Sequence, residues 1–253
     1  TAKSFRFTFL DDPLFLSYMN LNGQERLHNY QAKASKAARS LQSDISQIVS
    51  PNNIIDSKNI IDISASLNEN GQLNWLAPKG NWTVVRIGHV NMLKTNRPAE
   101  PEATGWETSK LDKVAIENHL RNGMMGNLMR PGGPLDGHKL HGMLIDSWES
   151  HVPTWTIEKK GLITAFQKRR GYDMTPYLAA TMGYIVDSVE TSNKFLRDLR
   201  QTMDDLYVEN FFAHFRTVSH DMGAKVYTEG ASGEVLPGDP LRYYGVSDFP
   251  MTE

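Results

Sequence analysis

The chain has 253 residues, 40% of them hydrophobic, with 27 Lys+Arg against 29 Asp+Glu for a formal net charge of −2. That length and apolar content allow a substantial core, in one large domain or two small ones. The balanced charge, without a long basic run, argues against nucleic acid or an anionic membrane as partner, and the lack of Cys excludes disulfides, thiolate metal sites and Cys nucleophiles.

In chain order, the opening TAKSFRFTFL lacks the order of a signal peptide, and no apolar stretch anywhere reaches transmembrane length. Residues 24–49 carry Ala34, Ala37, Ala38, Leu41, Ile45 and Ile48 at helical spacing, stopped near Pro51. The stretch NIIDISASLNENGQLNWLAPKGNWTVVRIGHV then predicts short strands broken by turns at Asn70-Gly71 and Lys79-Gly80. Within it Asn81-Trp82-Thr83 matches a glycosylation sequon and is read as chance, while Trp82, Val84, Val85 and Ile87 suit a half-buried strand. The segment from Met92 to Gly105 is a long loop, a length often tied to function.

From about 109 the rhythm changes. A helix is expected over 111–129, then a Pro-Gly-Gly-Pro loop at 131–134 and a strand at 142–145, whose unbroken Gly142, Met143, Leu144 and Ile145 predict burial on both faces. A helix follows over 157–170, closed by Gly171. A long one spans 192–222, with Phe195, Leu199, Met203, Leu206, Phe211, Phe215, Val218 and Met222 on one stripe, Ser192 as N-cap and Gly223 as C′ residue. Strands are expected at 224–227 and from Tyr244-Gly245-Val246 into Ser247-Asp248-Phe249. Strands alternating with helices imply a parallel sheet. Both a (β/α)-barrel and a doubly wound sheet place ligands at strand carboxyl ends; no GxGxxG follows any strand, which disfavours the dinucleotide version of the latter.

Acids gather at those expected ends: Asp146 and Glu149 after one strand, Glu229 after a second, Asp248 and Glu253 after a third. A lone acid there is more simply a salt-bridge partner; three strand ends together favour a site. Carboxylates are costly to bury unpaired. Opposed carboxylates are the usual equipment for cleaving a glycosidic bond, and several together also suit calcium. Trp148, beside Glu149, is read as a sugar-stacking face, and Trp155 as core. His89 is a weaker candidate for sugar hydrogen bonding. His138 and His141 form a minor metal-ligand alternative. Glu190, Asp204, Asp205 and Glu209 fall on helices and are read as solvated.

The order GNWTVVRIGH, TNRPAEPEATGWETSKLD, LIDSWES with TWT, RRGYDMTPYLAATMG, FLRDLRQTMDDLYVENFFAHF, VYTEGASGE and GVSDFPMTE resembles glycoside hydrolase family 106, the α-L-rhamnosidases, from about residue 50 onward. The resemblance implies a (β/α)8 TIM-barrel-like catalytic domain with a β-rich N-terminal portion. Residues 1–105 then form an N-terminal helical and β-rich portion and 106–253 the barrel portion. It further implies calcium, a carbohydrate substrate and inverting release of terminal α-L-rhamnose from plant polysaccharides or glycosides. A periplasmic or extracellular location follows from the same resemblance. Carried over by position, Glu149 in DSWE is the general acid, Glu253 in DFPMTE the general base, and Glu229 in YTEG a calcium or substrate ligand; Glu107 in GWETSKL is a metal or sugar contact. Trp148, Asp146, Asp248 and His89 complete the expected substrate contacts.

The chain departs from the family in having GWETSKLD where GLECDKLS is expected, and Pro153-Thr154 in place of Gln-Asn before Trp-Thr, changes that bear on substrate preference. The family continues through further barrel strands after Glu253, so 1–253 is expected to be part of a catalytic barrel and inactive alone. Two other readings stand beside it: a non-catalytic carbohydrate-binding or scaffold module of the same fold, and a metal-dependent hydrolase built on His138 and His141.

Overall fold

Short polar side chains open several of the helices, and apolar pairs too brief to show a period supply some of the strands. The computed structural model describes residues 22–36, 46–88, 93, 95–96, 99–137, 140–146, 161–229 and 239–251. The N-terminal region contains helix α1 (Tyr30–Lys33), followed by Ser35 at φ 56°, and strand β1 (Ile54–Ile55). The helix expected over 24–49 is thus a single turn within 22–36 and irregular chain at 46–50; 37–45 lie outside the described residues.

Over the described part of 59–90, most of the expected strands give way to irregular chain and a 3-10 turn at Ser64–Ser66, after a first such turn at Ser57–Asn59. The Asn70-Gly71 turn does form, closed by one antiparallel bridge between Leu67 and Leu73. Residues 81–88 are not a strand, and Val84 is 57% exposed. β-propensity cannot act alone: a strand needs a neighbour to satisfy its backbone groups, and no described segment supplies one.

Helix α2 (Lys113–Asn118) starts at Asp112, whose carboxylate accepts from the Val114 and Ala115 amides. It passes through a π-helical turn (His119–Met124) into α3 (Met125–Met129), close to the helix expected over 111–129. Strand β2 (Gly142–Ile145) and helix α4 (Gly161–Arg170) follow. A 3-10 segment (Thr175–Met182) then leads to β3 (Ile185–Val186), a strand the sequence pattern does not announce.

The long helix begins earlier than expected, as α5 (Val189–Leu206), a π-helical turn (Tyr207–Phe212) and α6 (Ala213–Asp221). Its cap is Ser188, which accepts from the Thr191 amide; Ser192 is buried and bonds both backbone groups of Val186, tying the helix to β3. Gly223 at φ +80° ends it as expected, in a conformation L side chains rarely adopt. Strand β4 (Lys225–Glu229) comes next, then α7 (Pro240–Tyr244) and β5 (Phe249–Met251). The strand expected from Tyr244 starts at Phe249 instead, because Tyr244 closes α7 and the amides of Gly245, Val246 and Ser247 turn back onto Leu241, Tyr243 and Tyr244.

The described strands form two parallel sheets, one ordered β1-β3 and the other β2-β4-β5. Parallel neighbours need helical crossovers, which α4 to α6 supply between β2 and β4. The apolar stripe of the long helix serves two cores. Phe195, Leu199, Met203 and Tyr207 pack with Phe166, Met174 and Ile185; Phe211, Phe215 and Val218 pack with Met143, Ile145 and Val226. Residues 195, 199, 203, 207, 211 and 215 repeat every four positions, which drifts about 40° per repeat around an ideal helix. The wider π-helical turn at 207–212 absorbs part of that drift where the helix passes from one core to the other.

The larger sheet is covered on one face only among the described residues. Met143, Ile145, Val226 and Thr228 are buried, whereas Leu144 is 57% and Phe249 46% exposed, with Tyr227 stacked on Phe249 at 4.6 Å between ring centroids. The expectation that β2 is buried on both faces therefore fails at Leu144. No described helix is long and apolar enough to cross a membrane.

Candidate active site at the strand carboxyl ends

Register decides which side chains can meet. Ile145 pairs with Thr228 and Thr228 with Pro250, so the three strands of the larger sheet end at one level. Asp146 is the first residue beyond β2, and Glu229, paired with Met251, is the last of β4. Asp146 is exposed and Glu229 half-buried. The side chains project from neighbouring strand ends, the usual location of a ligand site in parallel α/β sheets. Glu149, Trp148, Trp155, His89 and Glu253 lie outside the described residues; by sequence, Glu149 follows Asp146 by three positions and Glu253 follows Met251 by two.

Asp248, expected beyond a strand, instead precedes β5 and so sits at its amino end. Its 8%-exposed carboxylate accepts from Arg216 Nε at 2.9 Å and the Val226 amide at 2.8 Å, and lies 2.6 Å from His220 Nε2. Burial pushes this carboxyl up, but His220, the Val226 amide and Arg216 together outweigh it and hold the group well below the usual carboxylate range. The arrangement locks α6 to β4 and β5, which is the salt-bridge alternative rather than a sugar contact. The expected position at the mouth fails because β5 starts at Phe249, five residues beyond the predicted start at Tyr244.

Glu107 is exposed and paired with Lys110. It lies near the base of the 92–105 loop, which Asn96 closes: its amide donates to Gly105 O at 3.0 Å and its side-chain oxygen accepts from the Gly105 amide at 2.7 Å. His141 stands at the amino end of β2, where its carbonyl accepts from the Lys225 amide, on the far side of the strand from Asp146. His138 lies outside the described residues. No three His, Cys, Asp or Glu side chains converge as a metal site among the described residues.

The helical acids are not uniformly solvated, a correction to the sequence reading. Asp204 is 5% exposed, pairs with Arg242 and accepts from the Asp239 amide at 2.9 Å. Asp205 pairs with Arg170 and with Arg242 at 2.9 Å, and Glu209 holds Arg169 through two bonds at 2.6 and 2.8 Å. Arg169 also holds the Glu209 carboxyl below its ordinary range. This network fastens α4, α5 and α7 together. The clue in sequence was the Arg169-Arg170 pair ending one helix and the Asp204-Asp205 pair interrupting another.

One strand-end acid was missed. Asp187 follows β3 directly, at φ +60°, and accepts from the Ser57 amide at 2.8 Å. A non-glycine residue held in the left-handed region costs energy that its contacts must offset. A two-residue strand has no periodicity to flag it.

Against this geometry, comparison with known proteins is specific. The α-L-rhamnosidase family model matches residues 13–253. A putative beta-glucuronidase of Formosa agariphila is 34% identical over 207 residues, covering 82% of this chain and 17% of that protein. The solved rhamnosidase from Novosphingobium sp. PP1Y superposes with a TM-score of 0.71 at 27% identity, over 90% of this chain and 22% of that one. The chain thus spans about a fifth of the length of either relative.

Proposed function

The chain belongs to the α-L-rhamnosidase family of glycoside hydrolases, and on that premise we propose that it contributes the acid-lined strand ends of an inverting α-L-rhamnosidase. The observation carrying the proposal is the common level at which β2, β4 and β5 end, with Asp146 and Glu229 side by side and Glu149 and Glu253 close behind in sequence. We place these strands in a (β/α)8 barrel that acts outside the cytoplasm on plant polysaccharides or glycosides.

In this reading Glu149 is protonated and gives its proton to the glycosidic oxygen as the C1–O bond breaks. Glu253 takes a proton from the water that attacks C1 from the opposite face, so the product sugar has inverted configuration. Such a pair stands roughly 6.5–9.5 Å apart to admit the water. Trp148 covers the apolar face of the sugar, and Asp146, His89 and Glu229 take its hydroxyls. Calcium fits the donor chemistry at Asp146 and Glu229, whose carboxylate oxygens are the hard ligands it prefers. Bound there, it would supply positive charge that orients the sugar hydroxyls. Glu107 would have to leave Lys110 to join it.

The test is hydrolysis of an aryl α-L-rhamnoside by the complete protein, with calcium and after chelation, beside Glu149→Gln and Glu253→Gln. On an unactivated phenyl α-L-rhamnoside each variant should lose about 10³-fold in kcat, the scale of a positioned proton-transfer group. Glu149→Gln should recover on activated aryl leaving groups, which need little protonation, and Glu253→Gln should not. The product anomer, read by NMR, should be inverted. The relative named a putative beta-glucuronidase favours a second reading, a uronic-acid glycosidase. Turnover of an aryl β-glucuronide without turnover of the rhamnoside would replace the first reading with the second. Sugar binding with no turnover of either would indicate a non-catalytic module. Calcium-independent, metal-dependent turnover abolished by His138→Ala and His141→Ala would indicate the histidine-based hydrolase.

A further inference from the structure

Away from the strand ends, helix α5 and helix α1 enclose a groove of about 480 Å³ lined by Lys33, Lys194, Arg197 and Arg200, with Glu190 and Asn193 beside them. Its lining carries four cations and one carboxylate, in a chain whose net charge is −2. The concentration follows from helical spacing: 194, 197 and 200 fall at i, i+3 and i+6 on one side of α5, about 9 Å from first to last along the axis. Lys33 reaches across from α1 and donates to Asn193 Oδ1 at 2.8 Å. Lys194 and Arg197 are exposed, and neither pairs with a carboxylate among the described residues. Lys194 instead lies over the Tyr172 ring, 5.9 Å from its centroid. Like charges at such spacing destabilise a helix, and elsewhere on this helix Asp204, Asp205 and Glu209 each have an Arg.

We propose that this groove is a second saccharide site, which holds the carboxylate or sulfate groups of an acidic polysaccharide while the strand ends work on another part of the same chain. The saccharide part of this assignment rests on the glycosidase reading above. The anionic part rests on the groove. Arg197 and Lys194 form the contacts to acidic groups, and Asn193 and Glu190 offer hydrogen bonds to hydroxyls.

The test is affinity electrophoresis of the complete protein through gels containing polygalacturonate, fully methyl-esterified polygalacturonate, dextran sulfate or duplex DNA. Retardation should occur with polygalacturonate or dextran sulfate, weaken as salt rises and be absent with the methyl ester. Lys194→Glu/Arg197→Glu should weaken it by roughly tenfold or more, and Lys194→Arg/Arg197→Lys should retain it. Both variants should keep the wild-type Tm and wild-type turnover of a small aryl glycoside. If the reversal variant does not fold, Lys194→Gln/Arg197→Gln provides the same comparison. Equal retardation of wild type and variant, equal retardation by the methyl ester, or tighter binding to DNA than to either acidic polysaccharide would overturn the site. Loss of aryl-glycoside turnover in the wild type, with retardation intact, would count against the glycosidase reading and leave the groove standing.

Discussion

At Asp248 a single carboxylate accepts from a guanidinium, a backbone amide and an imidazole that come from α6 and β4. Its folded-state pKa lies below the unfolded one, so the ionised form stabilises the fold at every pH above the unfolded carboxylate value of about 3.9. That contribution is lost as pH falls through the folded value. Asp248→Asn should therefore destabilise the protein by about 2 kcal/mol at neutral pH, the scale of hydrogen bonds made to a charged group. Measured by thermal melts, the gap between wild type and variant should narrow steadily below about pH 4. A gap that persists undiminished into strong acid would mean that shape, not charge, makes the difference. Asp187 poses the converse case, a strained residue whose carboxylate is already engaged by the Ser57 amide. Asp187→Gly should relieve φ strain but lose that bond, so the unfolding free energy from denaturant melts should change by less than about 1 kcal/mol either way.

Between elements, Arg242 is the strap that ties α7 to α5. Replacing it with Leu leaves Asp204 buried with only the Asp239 amide among its described partners, and should cost about 3 kcal/mol in urea melts. Asp204→Asn in the Arg242→Leu background should recover part of that loss, because the buried charge is then gone. Gly142 shows a tighter constraint within the sheet: a Cβ there would stand 2.7 Å from the Tyr227 ring on the neighbouring strand. Gly142→Ala should destabilise by about 1–2 kcal/mol, and a Tyr227→Ala background should remove most of the penalty, a coupling visible in a double-mutant cycle. These features mark the reach of sequence reading. The long helix was legible from its stripe, β2 from its apolar run ending in an acid, and β4 from its place directly after the Gly223 helix stop, because these signals are local. The Ser188 cap, the two-residue β3 and the Arg242 strap were not, because each depends on which distant segment packs alongside. The strand expected over 82–87 had the right residues and no described neighbour to pair with.

For the molecule as a whole, the same locality explains why the acid-bearing strand ends could be read and their supports could not. Asp146 and Glu229 follow directly from strand order, whereas the parallel register that brings them level is a property of three segments spread over more than a hundred positions. That register also fixes what lies on the other side of the pleat: Leu144, Tyr227 and Phe249 share the face left uncovered among the described residues, with Tyr227 and Phe249 stacked. Parallel sheets are ordinarily covered on both faces, since an uncovered one leaves apolar area in water. The sequence pI of about 6.4 adds little repulsion to keep copies apart near neutral pH. A polypeptide limited to residues 1–253 should therefore self-associate through this face in a concentration-dependent manner and bind a hydrophobic dye. Light scattering of Leu144→Ser/Phe249→Ser in that polypeptide should show a smaller species and a weaker dye signal, because the substitutions remove exposed apolar area without touching Met143, Ile145 or Val226 beneath. The same pair in the complete protein should act oppositely and destabilise by about 2 kcal/mol or more, as expected for side chains buried there by the rest of the fold. Destabilisation in neither setting would mean that this face is solvated in the complete protein, and the sheet would then have to be assigned to an open architecture instead of the proposed closed barrel.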